Sequence, residues 1–523
     1  MADKTAPPSQ LRLEWVYGYR GNQCRNNLYY NGDGDAVYFV AGVAIVHNVA
    51  QKKQRFFKGH SDDILCLAIH PNKELFATGQ IGKDPFICVW NSKTMEMVSI
   101  LQGGHDRGIA TVAFSSDGEK LVSTGMDDYH CITVWDWRKG KQIASTRGHG
   151  DKIFDCKFTP SSSNQLVSCG VKHVKFWTLC GNALTGKKGV FGKKGEVQTV
   201  LSIGFSKNDT LFTGTFSGDI YQWKGHTLDN VIKSAHNGPV HSIHASDDGF
   251  ASGGKDGKLC LWNEDFTPVA CIDLTRTSAG YKGLCLRSVC WEGEKVLAGT
   301  KDGEVFEIRV EDKENPVTVA RGHGEGELWG LASHPSQAIF ATGSDDKTVR
   351  VWSATSREVL QLCHASHPVR SVAFSPAGDH IAAGQQDGSF VVFNLNNNLS
   401  VVFQKKDRKE VLHEMKYSPD AHYLAVGSND NFVDVYDVSE GYKRVGTCRG
   451  SSSFITHLDW SEDSQFIVTN SGASEKLYYK IPVIDDPITY ASFMSVKILR
   501  KSDFVAVFEK YKQILFLIVS ISR

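Results

Sequence analysis

Ten copies of one pattern run down this chain of 523 residues. Each copy opens on Gly-His or a similar dipeptide and continues as an alternating apolar stretch. A small-residue strand and a Gly/Asp turn follow, and an aromatic closes a β-branched run. The closing aromatics are Trp90, Trp135, Trp177, Trp223, Trp262, Phe306, Trp352, Phe393, Tyr436 and Tyr479. They recur roughly every 39 to 46 residues, the period of a four-stranded propeller blade. Short strands with turn signals at close spacing imply an all-β architecture. A chain built this way presents surfaces to other proteins rather than a pocket for chemistry.

The copy closing on Trp352 shows the unit most fully. Gly322-His323 opens it, residues 328–332 and 339–343 read as strands, and Asp345-Asp346-Lys347 makes the tight turn. Residues 348–352 and 359–362 complete the sheet. Propellers close with about four to eight blades, so ten copies require two rings. The economical division is a seven-bladed ring over residues 50–365, using the copies that close on Trp90 through Trp352. An incomplete second ring over 366–482 takes Phe393, Tyr436 and Tyr479. Closure of the first ring predicts Arg55-Phe56-Phe57 as the outer strand of the Trp352 blade. The tail, 483–523, has no Gly-His, no Gly-Asp turn and no Trp. Its apolar run from Ile514 to Ile521, beside an open sheet edge, is expected to be an aggregation site.

Composition narrows the function. Hydrophobic residues make up 41% and charged residues 22%, enough for large cores. The formal net charge is zero, so bulk attraction to nucleic acid or to an anionic membrane is not expected. The 13 cysteines follow no pairing rhythm and sit in apolar strand patterns, as Cys66 and Cys88 do. They read as small buried hydrophobes in a reducing, intracellular compartment. The N-terminus has no apolar core and does not read as a signal peptide.

Motifs for chemistry fail on inspection. Gly181 to Lys188 nearly matches a phosphate-binding loop, but it lacks the terminal Ser or Thr and lies in an all-β chain. His364 and His367 have no cysteine or carboxylate cluster beside them, and structural zinc wants four ligands. No Gly-x-Ser-x-Gly or His-Glu-x-x-His occurs. No catalytic residue, cofactor or metal is expected. Three basic clusters stand out instead: Lys52, Lys53, Arg55 and Lys58; Lys187, Lys188, Lys193 and Lys194; and Lys405, Lys406, Arg408 and Lys409. Each is either a solvated loop or a surface for an acidic partner.

The repeat resembles WD40 propellers. That resemblance implies a hydrogen-bonded tetrad inside each blade: His323, Thr342, Asp346 and Trp352 in one copy, and His236, Ser252, Asp256 and Trp262 in another. Other copies are degraded; the third has Val171 where the Asp should stand, and the sixth lacks both His and Trp. Residues 11–49 are no blade copy. Leu11 to Gly21, Arg25-Asn26-Asn27-Leu28-Tyr29-Tyr30 and Val37 to Val46 are dense in aromatics and alternate like strands. This stretch closely resembles the HELP motif of the echinoderm microtubule-associated protein-like family, and the likeness runs from about Leu11 to Ile481. The aromatics of the motif read as core.

The resemblance implies an all-β, WD40-type seven-bladed β-propeller, a partial second propeller, and the HELP motif at their junction. It also implies a non-enzymatic cytoskeletal protein of the cytoplasm. Such a protein would bind tubulin or microtubules through propeller surfaces and modify microtubule assembly, with other proteins as further partners. Tubulin is acidic, so the Lys187 and Lys405 clusters would steer it. Family members commonly carry a coiled coil and a basic linker before the HELP motif. Here residues 1–10, expected to be disordered, precede it, so the chain reads as a monomer that resembles the long, coil-free members. Without avidity, binding is expected to be weak or directed to soluble tubulin. The end after residue 482 reads as truncated or alternative. The competing reading is a general WD40 interaction scaffold in signalling or ubiquitin ligation.

Overall fold

The computed structural model describes residues 10–206, 208–246, 249–263, 265, 267–276, 284–481, 505–508 and 515–522. For residues 10–11, 505–508 and 515–522 it gives the backbone alone. Residues 1–9 of the expected disordered stretch 1–10, and most of the tail, lie outside the described residues, and Gln10 begins a strand. The chain divides into two compact units, Glu14–Gly324 and Met1–Leu13 with Glu325–Arg523.

The unit spanning residues 14–324 contains seven four-stranded antiparallel sheets. Blade 1 covers residues 29–57, blade 2 64–101, blade 3 109–146 and blade 4 153–188; blades 5, 6 and 7 cover 200–232, 240–273 and 286–320. The first strand of each blade lies beside the first strand of the next, from blade 2 through blade 7. Blade 1 closes the circle. Its strand Tyr29–Tyr30 lies against Leu286–Glu292 of blade 7, and Ala36–Val40 lies against Ile64–Ile69 of blade 2. The Tyr30 hydroxyl donates to Glu307 Oε2 at 2.9 Å, and Gly32 N–H donates to the Lys73 carbonyl at 2.8 Å. A closed ring of blades leaves only short, protected sheet edges.

The closing blade is therefore not the copy that ends at Trp352. Arg55-Phe56-Phe57 pairs with Val46, Ile45 and Ala44 inside blade 1. The outer strand of the Trp352 sheet is Val359–His364, with Trp352 opposite Val359. The first compact unit ends at residue 324, not 365. The physical reason is that the HELP segment builds a whole sheet. Ala36–Val40 is buried throughout, and Val43–Asn48 is buried in all but its last residue. Six repeat copies then complete the ring.

The core lies between blades. Phe39, Val46 and Phe57 of blade 1 pack with Ile64, Phe76 and Trp90 of blade 2. Leu259 and Leu261 of blade 6 pack with Val289, Val296 and Phe306 of blade 7. This explains the small residues of each second strand. A Cβ on Gly79 would come within 2.7 Å of Ile109 in the next blade. Sheets packed that closely tolerate no extra methyl.

In the other unit, blades 8, 9 and 10 cover residues 328–364, 369–406 and 412–448, and a three-stranded sheet covers 455–480. Four repeat copies thus belong here rather than three. The tail is not bare of order. Val505–Phe508 pairs antiparallel with Leu515–Ser522, which is the central strand of a sheet that also holds Gln10–Tyr17. Leu515 to Ile518 of the apolar run expected beside an open edge are therefore paired with Val505–Phe508. One cysteine expectation also changes. Cys260 and Cys271 face each other in register on Lys258–Trp262 and Pro268–Asp273 and form a disulfide. The other cysteines are free. Among the described residues no helix is long and apolar enough to cross a membrane.

Candidate protein-binding surfaces

Several blades hold their turns in place with a buried polar network. In blade 6, His236 Nε2 lies 2.8 Å from Ser252 Oγ, which also accepts from Trp262 Nε1 at 2.9 Å. His236 Nδ1 lies 3.0 Å from Asp256 Oδ1. Burial pushes the Asp256 carboxyl up, but the His236 ring and the Asn237 N–H outweigh it and hold the pKa at about 2. In blade 8, Trp352 Nε1 donates to Thr342 Oγ1 at 2.7 Å, and Asp346 accepts from Thr348 Oγ1 at 2.7 Å. His323 lies at the end of the first unit. Two further networks escaped the reading of the chain. His60, Thr78 and Trp90 form one in blade 2, with Gln80 in the place of the Asp. His105, Ser123 and Trp135 form another in blade 3. Where Tyr replaces Trp, the longer side chain bonds elsewhere: Tyr436 Oη donates to Asp407 Oδ2 at 3.0 Å.

Residues 18–28 of the HELP segment lie inside the first ring. Arg20 reaches the Ile64 carbonyl at 3.0 Å and Asp63 at 3.1 Å in blade 2. Asn26 donates to Asp155 in blade 4 at 3.2 Å and accepts from Ser242 in blade 6 at 2.6 Å. Asn27 and Tyr19 share Ser288 of blade 7. One loop thus ties four blades together, and its aromatics are core, as the sequence suggests. A cavity of about 440 Å³ opens beside Tyr29, His70, Phe114, His244 and Trp291. Cys290 Sγ lies 3.7 Å from His244 Nε2 there. Burial pushes the thiol up to about 12 and the imidazole down to about 3. His244 Nδ1 accepts from Trp291 N–H at 3.2 Å.

The basic clusters separate. Lys187 and Lys188 end the outer strand of blade 4, opposite Phe176 and Lys175. Lys194 pairs with Asp229 at 3.3 Å. Lys187, Lys188 and Lys193 are exposed and meet no carboxylate among the described residues. In the second cluster, Lys405 pairs with Asp407 at 3.1 Å and Lys406 with Asp387 at 2.9 Å. Arg408 grips Asp434 with two bonds of 2.7 Å and reaches Asp430 at 3.1 Å. Only Lys409 there lacks such a partner among the described residues. In the first-named cluster, Arg55 pairs with Asp35 at 2.9 Å. The phosphate-loop lookalike is a hairpin. Cys180 pairs with Ala183 across Gly181, whose φ is +59°, and a strand follows instead of a helix.

Comparison with known proteins follows the same division. The echinoderm microtubule-associated protein first beta-propeller matches residues 53–308, the second beta-propeller 328–497, and the HELP motif 6–45. Echinoderm microtubule-associated protein-like 2 of Mus musculus is 35% identical over 518 residues, covering 94% of this chain and 77% of that protein. The chain belongs to the echinoderm microtubule-associated protein-like family. The 77 kDa echinoderm microtubule-associated protein of Strongylocentrotus purpuratus is 35% identical, covering 91% of this chain and 71% of its own. Echinoderm microtubule-associated protein-like 1 of Homo sapiens is 38% identical over 90% of this chain, which spans 59% of that relative's length. The family's division between its two propellers falls between residues 308 and 328, bracketing the boundary at 324–325. The Trp352 copy accordingly opens the second propeller of this family's arrangement.

Proposed function

We propose that this chain is a non-enzymatic cytoskeletal protein of the cytoplasm that binds tubulin or microtubules through propeller surfaces and modifies microtubule assembly. The observation that carries this reading is the row of unpaired lysines, Lys187, Lys188 and Lys193, beside the rigid edge of blade 4. Cations that no carboxylate neutralises remain available to an acidic partner and steer its approach. The names of the family's members, microtubule-associated proteins, supply the partner's identity.

The test is co-sedimentation with assembled microtubules alongside binding of free tubulin, each at low and high salt. The wild-type chain is expected to bind in at least one arm and to lose affinity as salt rises. Replacing Lys187, Lys188 and Lys193 by Glu should weaken that binding without unfolding the ring. Absence of binding in both arms refutes the function. Unchanged affinity in the triple variant removes this surface from it.

A further inference from the structure

The inner strands of the first ring repeat one irregularity. In blades 2 to 7 the register shifts after the first residue of the first strand. The bulged residues are Leu65, Ala110, Phe154, Leu201, His241 and Arg287. A second series is equally regular. The first residue of each tight turn donates its N–H to the carbonyl just before the inner strand: Ile81 to Asp63, Met126 to Gly108, Val171 to Lys152, Phe216 to Thr199, Lys255 to Pro239 and Lys301 to Cys285. These bonds place the turn residues level with one another, on the same face as the bulges.

Both series change character at the same place. Blades 2 to 5 carry apolar residues in both positions. Met126 is 41% and Phe216 60% exposed, unusual for large apolar side chains. Blades 6 and 7 carry His241 with Lys255, and Arg287 with Lys301. The HELP loop adds Arg25, whose guanidinium lies 4.5 Å from the centre of the Phe154 ring. Arg287 Nη1 lies 3.5 Å from His241 Nδ1, and its Nε is buried without a hydrogen-bond partner. Among the described residues neither arginine forms an ion pair. Asp155, whose charge acts on Arg25, is already engaged by Asn26, Ile203 N–H and Lys157. Burial and the neighbouring Arg287 both push the Arg25 pKa down. Like charges held together and partly out of water carry a cost that an anion relieves.

An equivalent position in the other unit shows the alternative. Arg370 is the bulged residue of blade 9, and it pairs with Asp345 at 3.0 Å while lying over Trp329. The chain can neutralise such an arginine from within, and at Arg287 it does not.

We propose that this face of the first ring binds an acidic peptide segment. Its carboxylates would sit on Arg25, Arg287 and Lys255, and apolar side chains along the segment would rest on Phe216 and, farther round the ring, Met126. The partner is specified by charge complementarity to the basic sector and by the apolar arc beside it. The site is separate from the blade 4 lysines and does not depend on the partner being tubulin.

The test uses the full chain and a fluorescein-labelled peptide of mixed glutamate and leucine, read by fluorescence polarisation, with polyglutamate and inorganic phosphate as competitors. The mixed peptide is expected to bind. Lys255→Glu and Phe216→Ser, both at exposed positions, should each weaken it by about tenfold. Arg287→Gln should weaken it further, with an unchanged circular dichroism spectrum confirming the fold. Replacing Lys187, Lys188 and Lys193 by Glu should leave it unchanged, so failure of tubulin binding and failure of this site are told apart. The proposal falls if the mixed peptide does not bind, or if Lys255→Glu and Phe216→Ser both bind as wild type. It falls equally if inorganic phosphate displaces the peptide as effectively as polyglutamate does, since the site would then hold a free anion rather than a peptide.

Discussion

Lys405 and Lys406 end the outer strand of blade 9, and Lys187 and Lys188 end the outer strand of blade 4. The first pair and the following Arg408 are consumed by Asp407, Asp387, Asp430 and Asp434. The second pair faces Lys175 and meets no carboxylate among the described residues. The difference lies in the tight turn opposite each strand end. Blade 9 has Asp387 there, whose carboxyl is held at about 2 against burial by Ser389 and Lys406. In blade 4 the bond from Val171 N–H to the Lys152 carbonyl puts Val171 level with Lys255 of blade 6, so Lys172, not Val171 as the repeat suggested, stands where Asp256 stands. Blade 4 keeps the Trp177–Ser168 bond but has no carboxylate in this turn, and Lys187 and Lys188 meet none among the described residues. A degraded repeat thereby becomes an available surface.

The largest expected effect breaks the neutralised side of this comparison. Asp434 is 1% exposed and is held chiefly by Arg408, with Arg444 farther off at 3.9 Å. Arg408→Ala should cost about 3 to 5 kcal/mol, because it strands a buried carboxylate. Lys187→Ala should stay within about 0.5 kcal/mol of wild type. Urea denaturation reads both. If Arg408→Ala proves as stable as wild type, the second cluster is not structural.

A smaller effect concerns acid. The Asp256 carboxyl has a folded pKa of about 2, below its unfolded value. Its contribution, about 2 kcal/mol, is present above the unfolded pKa near 4 and is lost as pH falls through 2. Asp256→Asn should therefore lower stability at neutral pH and flatten the acid unfolding curve between about pH 4 and 2. An unaltered curve would mean that the His236 contact carries no stability. Smaller again is the contrast between complete and incomplete networks. Ser252→Ala leaves His236 Nε2 and Trp262 Nε1 without a partner, and should cost about 1 to 3 kcal/mol. Ser168→Ala in blade 4 strands Trp177 alone and should cost less. Equal losses would show that the histidine adds nothing.

Much of this was legible in the chain. The repeat period, the closing aromatics and the His236 network follow from residues at fixed offsets, because those offsets are set within one blade. The ring boundary was not legible. The HELP strands carry neither Gly-His nor a closing Trp, yet Ala36–Val40 and Val43–Asn48 are buried enough to be a blade. The fate of the lysines was hidden too, since Lys406 and Asp387 are brought together only by strand pairing. Arg25 and Arg287 looked ordinary singly. Aligning the second residue of each inner strand across the copies would have exposed the change from apolar to basic.

The smallest expected effect tests the free side of the comparison directly. Exposed ion pairs are worth about 0.2 to 1 kcal/mol each, so every lysine of blade 4 turned to Ala should weaken an acidic partner by only about two- to fivefold. Those losses should shrink as salt is raised, because the charges are solvated and screening at physiological ionic strength acts over about 8 Å. Lys405→Ala and Lys406→Ala should show neither the loss nor the salt trend, since their charge is spent on Asp407 and Asp387. Binding to free tubulin, measured for each single variant across a salt series, separates the two strands. If the blade 9 variants weaken binding as much as the blade 4 variants, then intramolecular pairing does not decide which lysines are available. The missing turn Asp of blade 4 would then lose its meaning as the mark of a binding surface.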